Sequence, residues 1–277
     1  MQRPGAGVLT VLDGAMGTEL GRRGVSLQGR AWSARANLLA PDVVSAIHAD
    51  YAASGATVHT ANTFRTTPWG FGEGWEDAAA AAVALARRAV PSGHRVAASI
   101  APLRDCYRPD LSPPSPREEH RAIARVLART GADLLLCETF PQVGEAWVAV
   151  EEAVATALPV WVSFTAGPNA DLLSPRDLAA GARGAVERGA AAVLVNCVPC
   201  ARIGEWLDAI SACGAPYGAY ANCGDIQDTE VVWHVGDDDP ASYARHAARW
   251  AAGGATLIGG CCGTGPAHIT AVRCAKL

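Results

Sequence analysis

Residues 132–164 read ADLLLCETFPQVGEAWVAVEEAVATALPVWVSF and hold one complete unit of strand, helix and strand. Two short apolar runs, 132–138 and 159–164, flank a stretch with helical periodicity over 144–157. Nearly continuous apolar runs of this length are typical of strands that are buried on both faces of a parallel sheet. Parallel strands need a crossover connection, which is usually a helix. The segment therefore predicts a parallel sheet that is covered by helices.

The same unit repeats along the whole chain. Apolar runs that read as strands lie at 8–13, 56–62, 95–101, 132–138, 159–164, 191–197, 217–222 and 255–260. Helical patterns follow them near 41–54, 76–90, 117–130, 144–157, 175–189, 201–213, 239–253 and 266–275. This alternation predicts an α/β fold, a single (β/α)8 barrel (TIM barrel) with its active site at the C-terminal face. Such a barrel takes about 250 residues, so we expect residues 1–277 to form one domain; an open doubly wound sheet is the alternative.

The composition is that of an ordinary soluble protein. Half of the residues are hydrophobic and the formal net charge is −4, so nothing favours binding to nucleic acid or to an anionic membrane. No apolar run approaches the roughly 20 residues of a membrane helix. Asp13 interrupts the apolar start of the chain, which therefore lacks the core of a signal peptide. We expect a cytoplasmic protein, whose nine cysteines are free thiols or metal ligands rather than disulfides.

Two connections are unusually long. Residues 13–40 separate the first strand from its helix, and the proline-rich stretch 102–116 is predicted to lack regular structure. In a barrel both would lie over the C-terminal face, where substrates bind. Each is interpreted either as a lid or as a solvated connector.

Polar residues collect where the predicted strands end. They are Asp13, the ANTF of 61–64, Glu138 with Thr139, Asn196 with Cys197, Asn222 with Cys223, and Cys261 with Cys262. The C-terminal ends of barrel strands converge on one mouth, so residues about 250 positions apart become neighbours. The pattern predicts a pocket that contains carboxylates, thiols and amides.

Three of these thiols are candidates for a zinc site. Cys197, Cys261 and Cys262 would supply three sulfur ligands, and a catalytic zinc site keeps its fourth position open. Buried structural cysteine is the alternative reading of each thiol. Cys200 and Cys223 are less favoured as ligands. No HExxH or similar histidine motif occurs, which argues against a hydrolytic zinc site.

The segment CVPC, residues 197–200, also has the spacing of a redox motif. A redox protein that uses this pair is therefore a rival hypothesis. A second rival is a zinc- or thiol-binding barrel without catalytic activity.

A site with three thiolates suits a particular chemistry. It is better adapted to hold a substrate thiol than to activate water, and a metal-bound thiol loses its proton near neutral pH. Asp13 and Glu138 would then recognise the substrate, most naturally through an ammonium group. Their alternative roles are a salt bridge at the rim of the barrel or a helix cap.

The chain resembles the homocysteine S-methyltransferase family over nearly its whole length. The motifs that carry the resemblance are LDGAMGTEL (12–20), the segment 32–64, CETFPQVGEA (137–146), VNC (195–197) and GGCCGTGPAHI (259–269). The resemblance implies a (β/α)8 barrel that binds Zn²⁺ through three cysteines, and these match Cys197, Cys261 and Cys262. The same cysteines are then the catalytic residues.

The resemblance also implies how homocysteine is bound. Asp13 and Glu138 match the acids that bind its amino group in the family, and Gly14 and Ala15 match the backbone groups that bind its carboxylate. Thr139 is expected at the substrate as well. The homocysteine thiolate attacks the methyl group of the donor in line, which gives methionine.

The methyl donor is predicted to be a sulfonium compound, S-methylmethionine or S-adenosylmethionine. The chain has no room for the further domains of the cobalamin- and folate-dependent relatives. Betaine-using relatives hold the quaternary ammonium with aromatic residues, but Arg65 and Thr139 occupy two of the matching positions here, although Trp32 remains. Arg65 is interpreted as a partner for the carboxylate of the donor or as a solvated loop residue.

Two segments depart from the family pattern. They are SIAPLRDCYRPD (99–110) and YANCG (220–224), and both lie where the substrates should bind. The acceptor is therefore either homocysteine or another thiol or a selenol, with the same zinc chemistry. The C-terminal extension that betaine-using relatives use to oligomerise is absent, so we expect a monomer or a small homo-oligomer.

Overall fold

The computed structural model describes residues 9–223 and 239–275, and these residues form a barrel of eight parallel strands. The strands are β1 (Thr10–Val11), β2 (Val58–Ala61), β3 (Arg95–Ile100), β4 (Leu134–Phe140), β5 (Val160–Phe164), β6 (Ala192–Pro199), β7 (Tyr217–Asn222) and β8 (Leu257–Gly260). From β2 to β8 each strand pairs with its neighbour in sequence, and β1 pairs with β8. A parallel bridge between Leu12 and Val58 joins β1 to β2. The predicted barrel is confirmed, and the open sheet is excluded.

Ten α-helices surround the described barrel. They are α1 (Met16–Arg22), α2 (Ala36–Leu39), α3 (Pro41–Ser54), α4 (Trp75–Ala89), α5 (Arg117–Ala128), α6 (Val143–Val154), α7 (Pro175–Glu187), α8 (Gly204–Ile210), α9 (Pro240–Ala252) and α10 (Pro266–Cys274). The eight predicted helices are all present, with α8 shorter at both ends than expected. Among the described helices, none is long and apolar enough to cross a membrane.

The predicted long loop at residues 13–40 is wrong in part. It contains α1, α2 and a short 3-10 helix, Trp32–Arg35. These short helices do not stand alone: Leu20 of α1 and Ala34 are fully buried. Packing against the barrel therefore fixes a segment whose glycines and short length hid the helical pattern.

The first predicted strand is also shorter than expected. Only Thr10 and Val11 of the range 8–13 form β1, and residue 8 lies outside the described residues. Backbone bonds still continue past the strand, because the Asp13 amide donates to the Val58 carbonyl at 3.0 Å. This bond places Asp13 at the mouth of the barrel beside β2.

Alternate residues of each strand pack into two separate apolar layers. Leu134 and Leu136 of β4 belong to the cluster inside the barrel, whereas Leu135 belongs to the cluster between the barrel and its helices. Full burial of such a side chain stabilises the fold by about 1.5–3 kcal/mol. Because side chains fill the interior, a substrate can bind only at an end of the barrel.

Two histidines are buried between α3 and the barrel wall. His48 of α3 and His59 of β2 both have 0% exposure, with ring centroids 6.4 Å apart. Burial lowers the pKa of His48 to about 4 and that of His59 to about 3. Both side chains are therefore neutral at physiological pH.

Replacing His48 with leucine should change how stability depends on pH. An unfolded histidine takes up a proton below about pH 6.5, and buried His48 does not. As the pH falls from 6.5 to 4, His48 therefore lowers the free energy of unfolding by about 1.4 kcal/mol per pH unit. The variant should therefore gain stability relative to the wild type as the pH falls through this range, measured as the difference between their free energies of unfolding.

The measurement is urea unfolding of the metal-free proteins at several pH values. The quantity to compare is the difference in free energy of unfolding between the two proteins. Asp13 and Glu138 have raised pKa values, so they stabilise the fold as the pH falls, but they do so in both proteins and cancel in the difference. A difference that does not vary with pH would contradict a neutral, buried His48.

Candidate active site

A cavity of about 540 Å³ lies at the C-terminal ends of the strands. This volume falls within the range of small-molecule sites, roughly 300–1,000 Å³. All eight residues predicted at the site line it: Asp13, Gly14, Ala15, Glu138, Thr139, Cys197, Cys261 and Cys262. The long connections 13–40 and 102–116 contribute further lining residues, such as Trp32 and Tyr107.

The three predicted zinc ligands lie together. Cys197 is on β6, and Cys261 and Cys262 directly follow β8. Their sulfur atoms are all within 4.8 Å of one another. The Cys197 and Cys261 Sγ atoms are 2.7 Å apart, and none of the three forms a disulfide. We call these residues the cysteine cluster.

Irregular strand geometry aims Cys197 at the cluster. The pairing of β6 with β7 shifts register between Asn196 and Pro199, and Cys197 has a φ of 52°. A non-glycine residue in this left-handed region is strained, and such strain is concentrated at functional sites. A bulge re-aims a side chain that a regular strand would point elsewhere.

A similar irregularity occurs on β4. Its pairing with β5 shifts register after Cys137, and Thr139 has a φ of 63°. The Asn196 side-chain amide donates to Thr139 Oγ1 at 2.7 Å, which links the bulge of β4 to that of β6. The two bulges therefore fix Glu138 and Cys197 relative to each other.

Gly263 allows the chain to turn sharply after the cysteine pair. Its φ is 80°, and a Cβ atom there would lie 1.6 Å from the Cys223 carbonyl oxygen. The Cys223 amide in turn donates to the Cys262 carbonyl at 2.8 Å. Only glycine fits this close approach, so the position of both adjacent thiols depends on it.

The chemistry of the cluster fits a zinc ion. Hydrogen bonding from Cys197 lowers the pKa of Cys261, while the same contact, together with burial, raises the pKa of Cys197. Three buried thiolates so close together would repel one another. A divalent cation would allow all three to ionise, and three thiolates are a ligand set that zinc prefers.

Two buried carboxylates face the same cavity. Ser99 Oγ and Tyr220 Oη donate to the Glu138 carboxylate, and the Thr60 amide donates to Asp13 Oδ2 at 2.8 Å. Burial raises the pKa of Glu138 to about 7 and that of Asp13 well above its usual range. Within the described residues, neither acid has a cationic partner. An ammonium group in the cavity would complement both.

The backbone after Asp13 lies beside these acids. The Tyr51 hydroxyl donates to the Ala15 carbonyl at 3.0 Å, and the Ala15 amide makes a long bond, 3.3 Å, to Thr264 Oγ1. A Cβ atom at Gly14 would lie 2.7 Å from the Tyr51 ring. In the described part of the chain the Gly14 amide donates to no protein acceptor, so it remains available to a substrate.

The sequence did not indicate the partners of Glu138. Ser99 and Tyr220 lie on β3 and β7 within runs that read as apolar. The signal that identifies them is a polar group at a strand position that faces the barrel interior, as the packing of Tyr220 against the inner cluster shows. Such a side chain needs a hydrogen-bond partner when buried.

Aromatic and arginine side chains form one wall of the cavity. The Arg65 guanidinium carbon lies 4.9 Å from the Phe64 ring centroid and 5.4 Å from that of Trp69. The Arg30 guanidinium carbon lies 5.8 Å from the centroid of the same Trp69 ring. Trp32 packs edge-on against Phe64, with ring centroids 6.4 Å apart. We call these five residues the aromatic wall. It offers positive charge and π-faces to the same cavity that the acids line.

The segment 102–116 borders the cavity. It contains only a 3-10 turn, Pro109–Leu111, as its composition predicted. The Leu103 amide donates to Glu145 Oε1 at 2.8 Å, which anchors the start of the segment to α6. Asp105, Cys106 and Tyr107 then line the cavity.

The less favoured cysteines lie outside the cluster. Cys223 Sγ is 3.3 Å from His268 Nε2, and Cys200 is buried beside β7, where its amide donates to the Asn222 carbonyl. Cys197 has Cys261 as its close sulfur neighbour. The geometry therefore favours the three-cysteine site over redox use of the 197–200 pair.

Comparisons with known proteins agree with this geometry. A family model described as homocysteine S-methyltransferase matches residues 10–275. The homocysteine S-methyltransferase of Escherichia coli is 33% identical, with 96% of this chain and 94% of that protein covered. A selenocysteine Se-methyltransferase of Brassica oleracea is 29% identical, with 96% and 88% covered. The crystal structure of the Escherichia coli homocysteine methyltransferase MmuM in its metallated form superposes with a TM-score of 0.78 at 27% identity, covering 96% of this chain and 95% of that one.

Proposed function

This chain belongs to the homocysteine S-methyltransferase family, and we propose that it makes methionine by transferring a methyl group from a sulfonium donor to the thiol of L-homocysteine. The observation that carries this proposal is the arrangement of one cavity. A cysteine cluster and two carboxylates line it together, and neither carboxylate has a cationic partner among the residues that the structure describes. A thiol and an ammonium group on one small molecule match these two features.

We propose zinc as the resident metal, held by Cys197, Cys261 and Cys262. Zinc in this site would lower the pKa of the substrate thiol, so that its sulfur is a thiolate at neutral pH. The bulge of β6 and the turn at Gly263 hold the three protein sulfurs in place before substrate binds.

The protein residues orient homocysteine relative to the donor. Asp13 and Glu138 would bind the ammonium group, and the backbone at Gly14 and Ala15 would bind the carboxylate, with Thr139 beside them. The acceptor sulfur forms a bond to the donor methyl carbon while the donor carbon–sulfur bond breaks. The bonding pair goes to the donor sulfur, which becomes a neutral thioether, and the thiol proton leaves to solvent. Alignment of the two reactants supplies much of the rate enhancement in such a step.

The aromatic wall is the proposed donor site. Its π-faces suit a sulfonium cation, and Arg65 suits a carboxylate. S-methylmethionine carries both groups on a small frame. The two bound molecules would then lie on opposite sides of the cavity, with their sulfur atoms towards each other.

Replacing Arg65 with glutamine should weaken the use of S-methylmethionine selectively. Loss of one charge-assisted contact costs about 1.5–3 kcal/mol, so kcat/KM for this donor should fall about 10- to 100-fold. The measurement is initial rates with S-methylmethionine and with trimethylsulfonium, a donor without a carboxylate. Equal losses with both donors would contradict the assigned contact.

The acceptor has one alternative with a specific observation behind it. One relative is named a selenocysteine Se-methyltransferase, so a selenol or another thiol could take the place of homocysteine at the same cluster. Competition between homocysteine and selenocysteine for one donor would decide which has the larger kcat/KM.

The direct test of the function is a panel of donors. The reduced, zinc-loaded protein is given homocysteine with S-methylmethionine, S-adenosylmethionine, betaine or methyltetrahydrofolate, one at a time. We expect methionine with a sulfonium donor and none with betaine or methyltetrahydrofolate. Activity with betaine alone would contradict the proposed donor class.

We also propose a cytoplasmic location and a single domain over residues 1–277. No disulfide bond occurs among the residues that the structure describes, which fits a reducing compartment. A monomer or a small homo-oligomer is the expected state, with small molecules as its partners.

A further inference from the structure

A second group of metal-ligating side chains lies behind the cavity. Asp13, His48 and His59 come from three different elements: the end of β1, the outer helix α3, and β2. One ligand atom from each lies within 4.8 Å of the others. All three residues are buried, with 6%, 0% and 0% exposure. They share no residue with the cysteine cluster.

The histidines have unused binding capacity. Neither ring nitrogen of His48 forms a hydrogen bond, and neither does Nδ1 of His59. Buried polar atoms without a partner carry a cost of about 1–3 kcal/mol each, and they are rare in native proteins. Three such nitrogens on the neighbouring rings of His48 and His59 indicate a binding site for a ligand that accepts nitrogen lone pairs.

The surroundings prepare His59 to act as a ligand. His59 Nε2 lies 3.0 Å from His94 Nδ1, and the two rings stack at 5.3 Å. When Nε2–H donates to His94, the lone pair of His59 is on Nδ1, the nitrogen without a partner. Histidines that bind metals are commonly oriented by a hydrogen bond at the opposite nitrogen. In this tautomer His94 would also fix the direction of the ring.

The carboxylate of Asp13 can serve two neighbours. A carboxylate has two oxygens with about four acceptor positions, and the Thr60 amide occupies one position on Oδ2. Asp13 also lines the active-site cavity. It can thus bind a cation behind the barrel wall and still face the cavity.

From this geometry we propose that Asp13, His48 and His59 bind a second divalent transition-metal ion, with zinc as the first candidate. Two neutral imidazoles and one carboxylate form a ligand set that zinc accepts. The site connects α3 to β1 and β2, where the barrel closes. Its metal would stabilise the folded chain, because the unfolded chain lacks the preformed site. The site shares Asp13 with the proposed homocysteine site, but His48 and His59 have no part in the proposed function.

The test is zinc content together with cobalt absorption. Wild type is expected to hold two zinc ions per chain after dialysis, and a Cys261→Ser/Cys262→Ser variant is expected to hold one. In that variant, substituted cobalt should show visible bands without the near-ultraviolet bands of cobalt–thiolate bonds. His59→Val should show the reverse: one metal, with the thiolate bands retained.

Two further variants separate binding from folding. His94→Gln should keep the fold and weaken the second metal about 10- to 100-fold, as loss of an orienting partner does. His120→Gln is the matched control, since His120 is a buried histidine that pairs with Glu145, and it should retain both metals. One zinc per wild-type chain, lost entirely in the double cysteine variant while that variant stays folded by circular dichroism, would overturn the proposal.

Discussion

Replacing Cys262 with serine is expected to leave the chain folded, to empty the cysteine cluster of zinc and to abolish methyl transfer. The side chain is half-buried at the cavity, so serine fits in its place. A serine hydroxyl stays protonated near neutral pH and is a poor zinc ligand. Several kcal/mol of stabilisation of the reacting thiolate are then lost, which corresponds to a decrease in rate of about 10³-fold or more.

The measurement pairs zinc content of the cysteine cluster with the rate of methionine formation. Cobalt–thiolate absorption reports on this cluster alone. Cys274→Ser is the matched control, because Cys274 is exposed at the end of α10 and its loss should change neither quantity. Undiminished activity of the Cys262 variant would remove this residue from the catalytic role.

Replacing Glu138 with alanine should have the second largest effect, and a different one. The cysteine cluster is intact in this variant, so zinc should be retained. The ammonium group of homocysteine loses a charge-assisted contact worth about 1.5–3 kcal/mol. The KM for homocysteine should therefore rise about 10- to 100-fold, with a smaller change in the KM for the donor.

A thiol without an amino group provides the control for Glu138. With 4-mercaptobutyrate as acceptor, the variant and the wild type should have similar kcat/KM values. A loss of the same size with both acceptors would show that Glu138 acts on something other than the ammonium group.

The raised pKa of Glu138 adds a pH dependence to the same contact. Burial raises this pKa to about 7, so the carboxyl group is neutral below that pH in the free protein and cannot pair with an ammonium ion. The KM of the wild type for homocysteine should thus rise as the pH falls below 7. In Glu138→Gln the KM should be high throughout and should vary less with pH, since only Asp13 then contributes a raised carboxyl pKa.

The sequence predicts the barrel well because the evidence for it is local and repeated. Each strand and helix has its own periodicity, and the eight units confirm one another. The strand ends also carry the residues that line the cavity, so Cys197, Cys261 and Glu138 could be placed at one mouth from topology alone.

The details that make the site work depend on tertiary structure. Cys197 and Thr139 adopt positive φ values that no residue pattern signals, because non-glycine residues avoid this region. The helices within 13–40 are too short to show a period. The histidine group beside Asp13 depends on contact between α3 and β2, and a histidine in an apolar strand gives no indication of such a partner.

Isotope labels can follow the methyl group itself from the donor to homocysteine. Homocysteine labelled with carbon-13 in its chain is incubated with S-methylmethionine that carries trideuterated methyl groups, using zinc-loaded protein and protein whose cysteine cluster has been emptied. We expect methionine that contains both labels, formed only by the zinc-loaded protein and in proportion to the metal in the cluster. Equal formation of doubly labelled methionine by the two preparations would contradict this expectation.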